Sequence, residues 1–481
     1  MDFRPYGKKI FFLFFLSYVI ILIVYFPQIL PKEVPSLKRT IALLLLAAVL
    51  LSLGGCSIME GNISTLLKVP QPNKVQQQLR NAIDSSLGTN IKYISPAAGN
   101  HRTSLIQVDL DGSGRLETVL FYLPTADNTT AFLAVLTEQD DGTWKLVKKI
   151  QGAAAAVDYV EFSDLNSDGK RDILVGWSRG DSARELFVYN VFASDDALLY
   201  TDGYNESRFF TDTDGAPLLF TASFDKALGS GTAKIVTLDK NGELTKTFTC
   251  EIDAHFDTVT AVSYSRISST TRAIILDARL GNTAVTQFLF FDGNRLINPY
   301  YTDGLLDPAF IRETAFACTD IDKDGIVELP AASALPVVTG ASSGYTPMQL
   351  TAWSTFNSST LTNFTLQPLT YEFSCIMNPT LGYYYIYPAA WAGRVSVYNN
   401  AADRTMYFYH VDPQTNYSTQ LFSISRISAA DYNKRANTGS WFELHREGEQ
   451  IYAIHIADNL SADLKLLIGT VTDCRNRLIL Y

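Results

Sequence analysis

From about residue 100 the chain consists of short apolar stretches separated by polar turns. LIQV, YVEF and AFAC each stand before an Asp-rich loop, and ETVLFY and DILVGW come after two of those loops. Farther on come RVSVY, TMYFYHV, LFSISRI, WFELH and IYAIHI. Stretches of this length, rich in β-branched and aromatic residues and alternating in polarity, predict strands half buried on one face. Asp141-Gly142, Asn241-Gly242 and Asp292-Gly293 lie between such stretches and predict tight hairpin turns. Helical spacing is rare. Val75, Leu79, Ala82 and Ile83 recur at it, with Asn73 as N-cap and a stop at Leu87-Gly88, which predicts one helix packed against the next domain. Two more helices are expected at 429–436 and around 461–479. The fold class expected is mainly β.

The N-terminus carries two apolar runs, 10–26 and 41–53. The second has the parts of an export signal: Lys38 and Arg39, an apolar stretch, then Leu53, Gly54, Gly55 and Cys56. That end resembles the lipobox of bacterial lipoproteins, and the resemblance implies a lipid anchor on Cys56 outside the cytoplasm. Arg4, Lys8 and Lys9 would hold the start of the first run inside as well, and two consecutive spans cannot satisfy both preferences. Residues 1–33 are therefore expected to be an extra segment or a mis-set start, 34–56 the signal, and 57–100 a tether with one helix.

Three nine-residue loops share one pattern: DLDGSGRLE from Asp109, DLNSDGKRD from Asp164 and DIDKDGIVE from Asp320. Oxygen-bearing side chains stand at positions 1, 3 and 5, glycine at 6 and a carboxylate at 9. This pattern suits a hard cation that takes about six to eight oxygen ligands. The ligands expected are Asp109, Asp111, Ser113 and Glu117; Asp164, Asn166, Asp168 and Asp172; and Asp320, Asp322, Asp324 and Glu328. The ion is Ca2+ in a structural role, with loop one weakest because Ser113 replaces an acid. An EF-hand needs Glu at position 12, where this chain has Leu120, Val175 and Ala331. Strand, loop, strand resembles the integrin-type FG-GAP and VCBS repeats. Degenerate copies are expected from Phe224 and Tyr264, which gives a period of roughly 40–60 residues. The resemblance implies a β-propeller of about five to seven blades over 101–372, followed by a small α+β domain over 373–481. The tyrosine-rich GYYYIYP segment that opens this domain looks like the C-terminal modules of some clostridial-type VCBS lipoproteins. On that strand, core packing is preferred to an aromatic binding platform.

Composition narrows the function classes. A net charge of −10 and the absence of a basic run argue against a nucleic-acid partner. Cys250, Cys318, Cys375 and Cys474 show no metal-ligand spacing and are expected as free thiols, with two disulfides left open. Gly340–Gly344 matches GxSxG around Ser342, but Gly, Ser, Thr and Pro347 surround it where a nucleophile elbow needs a strand and a helix. His101, His255, His410, His445 and His455 are scattered, although His445 and His455 share a hairpin and can meet across it. The chain is accordingly expected to be a non-enzymatic, membrane-anchored binding or scaffold lipoprotein of the cell envelope, recognising an envelope protein or glycan. The alternative is an envelope hydrolase with a site at the propeller centre or domain junction.

Overall fold

Successive antiparallel sheets make up most of the protein. The computed structural model describes residues 74–481 except 181–183, 194–196, 213, 339–344 and 357–368. Cys56, both apolar runs and Ser342 therefore lie outside the described residues. The chain divides into two compact units, Met1–Gln77 and Gln78–Tyr481, and the first is almost wholly outside the described residues. No described helix is long and apolar enough to cross a membrane.

Helix α1 spans Lys74–Leu87, as its apolar spacing predicts, and Gly88 ends it with a φ of 87°. Sheet one comes next, built from β1 (Ile91–Ile94), β2 (Leu105–Val108), β3 (Glu117–Pro124), β4 (Phe132–Glu138) and β5 (Trp144–Gln151). β1 and β2 share one edge of β3. Sheet two is a four-strand meander of β6 (Ala156–Ser163), β7 (Asp172–Ser178), β8 (Arg184–Tyr189) and β9 (Leu198–Gly203). Sheet three repeats it with β10 (Glu206–Thr211), β11 (Pro217–Asp225), β12 (Ser230–Leu238) and β13 (Leu244–Asp253). Sheet four does so with β14 (Thr258–Arg266), β15 (Arg272–Leu280), β16 (Thr283–Phe291) and β17 (Leu296–Ile297). A small hairpin, β18 (Tyr301–Thr302) and β19 (Leu305–Leu306), leads to β20 (Ile311–Glu313), which returns to β16.

The middle strands are apolar on both faces because sheets pack on both sides of them. On β3, Val119, Phe121 and Leu123 enter a core shared with sheet two. Leu120 and Tyr122 on the same strand enter a separate core with Leu79 and Ile83 of α1. On β7, Ile173, Val175 and Trp177 face sheet one, whereas Leu174 faces sheet three. Alternate side chains of a strand point to opposite faces, so one apolar run serves two cores.

The remaining strands form two sheets. One is β21 (Leu329–Ala334), β23 (Gln349–Phe356), β24 (Leu369–Asn378), β25 (Tyr383–Ile386) and β31 (Leu478–Leu480); the other joins β22 (Thr346–Pro347) to β26 (Val395–Asn400), β27 (Thr405–Val411), β28 (Ser418–Ser428), β30 (Gln450–Ile456) and β29 (Trp441–Glu447). The expected boundary at 372/373 falls inside β24, which pairs with β23 on one side and β25 on the other. Helix α2 is Ala429–Ala436, as expected, but the expected helix at 461–479 is two helices and a strand. Gly469, with a φ of 84°, and the Thr470–Asp473 capping box separate α3 (Ala462–Ile468) from α4 (Val471–Arg477). Tyr383 and Tyr385 are fully buried with Trp391, and Tyr384 is buried on the opposite face, so this strand is core.

Candidate metal loops and an inner cleft

All three Asp-rich loops fold in the same way. The position-9 carboxylate accepts the position-2 backbone N–H: Glu117 from Leu110 at 2.8 Å, Asp172 from Leu165 at 2.9 Å and Glu328 from Ile321 at 2.9 Å. The position-1 carboxylate accepts the glycine N–H at position 6, at 3.0 Å for each of Gly114, Gly169 and Gly325. Position 5 accepts the position-7 N–H, from Arg115 at 3.3 Å, Lys170 at 2.8 Å and Ile326 at 2.7 Å. The turn requires two left-handed residues: Gly112, Ser167 and Lys323 at position 4, and the three glycines at position 6.

These bonds occupy part of each carboxylate and leave other oxygens turned inward. In loop three, ligand atoms of Asp320, Asp322, Asp324 and Glu328 lie within 4.8 Å of one another, as do those of Asp109, Asp111 and Glu117 in loop one. The Oδ1 atoms of Asp320 and Asp172 are buried and accept no hydrogen bond from described residues. Burial and the neighbouring carboxylates push Asp172 and Glu328 each up to about 7. Such a site is short of positive charge, so its donors fit a divalent cation. Loop two is less convergent, because Asp168 Oδ2 accepts the Asn190 amide at 2.8 Å and the Asn166 amide at 3.2 Å. In loop one Glu117 Oε1 also accepts the Thr137 hydroxyl at 3.2 Å, which leaves it less available.

Loops one and two join first strands to second strands, β2 to β3 and β6 to β7. Before loop three only a single bridge, Thr319 to Glu328, replaces the expected AFAC strand. The degenerate copy expected at Phe224 is corrected, since 226–229 is the β11–β12 turn within sheet three. The corresponding connection is 212–216, where Asp212 accepts N–H groups of Asp214 and Ala216. Its Asp-x-Asp-Gly signal is in the sequence and was masked by the stronger apolar frame around Phe224. At the second expected copy, residues 267–271 form the connection between β14 and β15. Loop starts at 109, 164, 212, 267 and 320 are more evenly spaced than those expected.

Edge strands β2, β6 and β10 of sheets one, two and three border one cleft of about 500 Å³, lined by Gln107, Glu161, Phe162 and Phe209, with His101 and Arg171 beside them. His101 meets Phe162 edge-on at 5.1 Å. Burial raises the Glu161 carboxyl above its ordinary range, and Arg208 and the Phe209 N–H partly offset this. His445 and His455 do not meet, because the register pairs His445 with Tyr452 and Trp441 with His455. The four described cysteines are all free thiols.

No family model and no curated protein matches the chain. Solved structures similar to it include a protein from Lactobacillus plantarum, 14% identical, TM-score 0.27, covering 67% of this chain and 85% of that one. Another is a periplasmic gluconolactonase of Pseudomonas aeruginosa, 13% identical, TM-score 0.29, covering 68% and 86%. A third is an exotype rhamnogalacturonan lyase, 10% identical, TM-score 0.24, covering 67% and 76%. Two of these names are those of enzymes, and the expectation of a non-enzymatic chain is withdrawn.

Proposed function

We propose that the chain is a calcium-stabilised binding module of propeller type, held at the outer face of a cell membrane by a lipid on Cys56. The observation that carries the calcium reading is the threefold recurrence of one hydrogen-bonded loop, with buried carboxylate oxygens left over in Asp172 and Asp320. Asp320, Asp322, Asp324 and Glu328 would hold one ion, and Asp109, Asp111, Ser113 and Glu117 a second. Asp164, Asn166, Asp168 and Asp172 would hold a third after Asp168 turns from Asn190. The ions stiffen connections between strands. Loop two is tied to loop one by the Arg171 N–H donated to Leu110 O at 2.7 Å, and loop three to β14 by Val327 to Arg266 O at 2.8 Å.

The propeller reading is supported by three consecutive meanders after sheet one and by the edge strands β2, β6 and β10 that share one cleft. Strands β21, β23 and β24 continue the series as a fifth blade, and the last sheet with its helices forms the α+β module. Helix α1 covers the face of sheet one away from sheet two.

Melting with and without calcium tests the reading. An ion bound only by the folded state, at ~100 times its dissociation constant, stabilises by about 2.7 kcal/mol per site. Millimolar calcium is expected to raise the melting temperature, magnesium to raise it less, and Asp324→Ala and Asp168→Ala each to remove part of the shift. Identical melting curves in calcium and in chelator would reduce the three loops to turns.

A further inference from the structure

The cleft bordered by β2, β6 and β10 adjoins the metal loops, taking Asp109 and Leu116 from loop one and Arg171 from loop two, but the side chains it offers a ligand are of other kinds. Its polar lining mixes all three kinds of hydrogen-bonding group. Arg171 only donates, Glu161 only accepts, and the amides of Asn100 and Gln107 do both. Among the described residues no hydrogen bond engages the side chains of Asn100, Gln107 or Arg171. Two rings, Phe162 and Phe209, add apolar surface, and His101 braces the first of them. The lining carries two carboxylates, Asp109 and Glu161, and one guanidinium, Arg171, with Arg208 just outside it. Arg208 lies close enough to Glu161 to favour its ionised form, and both oxygens of Asp109 already accept N–H groups, of Gly112 and Gly114. The volume of about 500 Å³ lies in the range of small-molecule sites, roughly 300–1,000 Å³.

Carboxylates and guanidinium groups of opposite sign stand side by side here, so a strongly charged ligand of either sign meets a like charge, and an apolar one would leave these donors and acceptors unpaired. Hydroxyl groups both donate and accept, and a pyranose ring offers C–H faces to aromatic rings. We infer that this cleft is a binding site for a neutral saccharide, one or two sugar units in size. Arg171, Gln107 and Glu161 bond its hydroxyls, and Phe162 and Phe209 cover its ring. The inference deepens the binding half of the proposed function and rests on it; it does not depend on the calcium half.

The test titrates the full chain, in calcium, with glucose, galactose, N-acetylglucosamine and their disaccharides, using ligand-observed NMR and calorimetry. Glucuronate and glucosamine serve as charged controls. Saturable binding of at least one neutral sugar is expected, weakened about tenfold by Arg171→Gln and by Gln107→Ala, the loss of one good hydrogen bond each. Both side chains are exposed, so both variants should keep the wild-type melting temperature. No saturable binding, binding indifferent to both variants, or tighter binding of a charged control would each overturn the inference. The calcium melting shift is read on the same samples. A preserved shift with no sugar binding removes the saccharide site alone, whereas a lost shift with sugar binding removes the calcium reading alone.

Discussion

Gly325 turns loop three at a φ of 91°, with no atom near enough to obstruct a side chain. The obstacle to any other residue there is backbone strain alone, since left-handed geometry costs an L-residue about 1–2 kcal/mol. Gly325→Ala is expected to lose that much by denaturant titration in chelator, before any ion is involved. An unchanged midpoint would mean that the turn relaxes to another geometry. Glu161 offers a second outcome confined to one side chain. Burial raises its folded pKa above the unfolded value, so the folded state binds the proton more tightly. Its contribution to stability is then full below the unfolded pKa and is lost as pH rises through the folded one. Compared with Glu161→Gln, the wild-type protein should lose melting temperature as pH climbs through that window; parallel pH profiles would refute the shift. The shared loop geometry was readable residue by residue, because spacing within nine positions dictates which side-chain oxygens meet the loop's own N–H groups. That Asp168 is drawn to Asn190 was not readable, since the two meet only when β8 lies beside loop two.

Helix α1 is the element whose spacing predicted it best, and its role comes from the surface it covers. Leu79 and Ile83 are buried against Leu120, Tyr122 and Leu136 of sheet one. Ile83 is 1% exposed, and truncating such a side chain costs about 2–5 kcal/mol through lost burial and the cavity left behind. Ile83→Ala should therefore lower stability by that amount in chemical denaturation and expose apolar sheet surface to a hydrophobic dye. A loss below about 0.5 kcal/mol would show that the helix rests loosely. Helix prediction was less successful near the C-terminus, where the pattern over 461–479 hid Gly469 and a strand. Residues 478–480 are extended because β25 offers them an open edge, a reason that no local window contains. The cleft was missed for the same kind of reason: Gln107, Glu161 and Phe209 lie on three different sheets.

The anchoring expectation belongs to the protein entire. Cys56→Ser is expected to release the protein from the membrane fraction or leave an unprocessed precursor, read by fractionation and mass. A mature, membrane-bound mutant would instead point to 10–26 as the anchor. The features settled by sequence alone are local: a mainly β chain, the hairpin turns, α1 and α2, and three loops whose shared hydrogen-bonding pattern is contained in nine consecutive residues. Each depends on backbone geometry and near neighbours, which a short window holds. Packing in three dimensions was needed to establish that β3 and β7 serve two cores at once. The same is true of the degenerate loop at 212–216, of β24 running through the expected domain boundary, and of the polar cleft bordered by three edge strands. These are contacts between residues tens to hundreds of positions apart, and they form because apolar strand faces on successive sheets must bury one another.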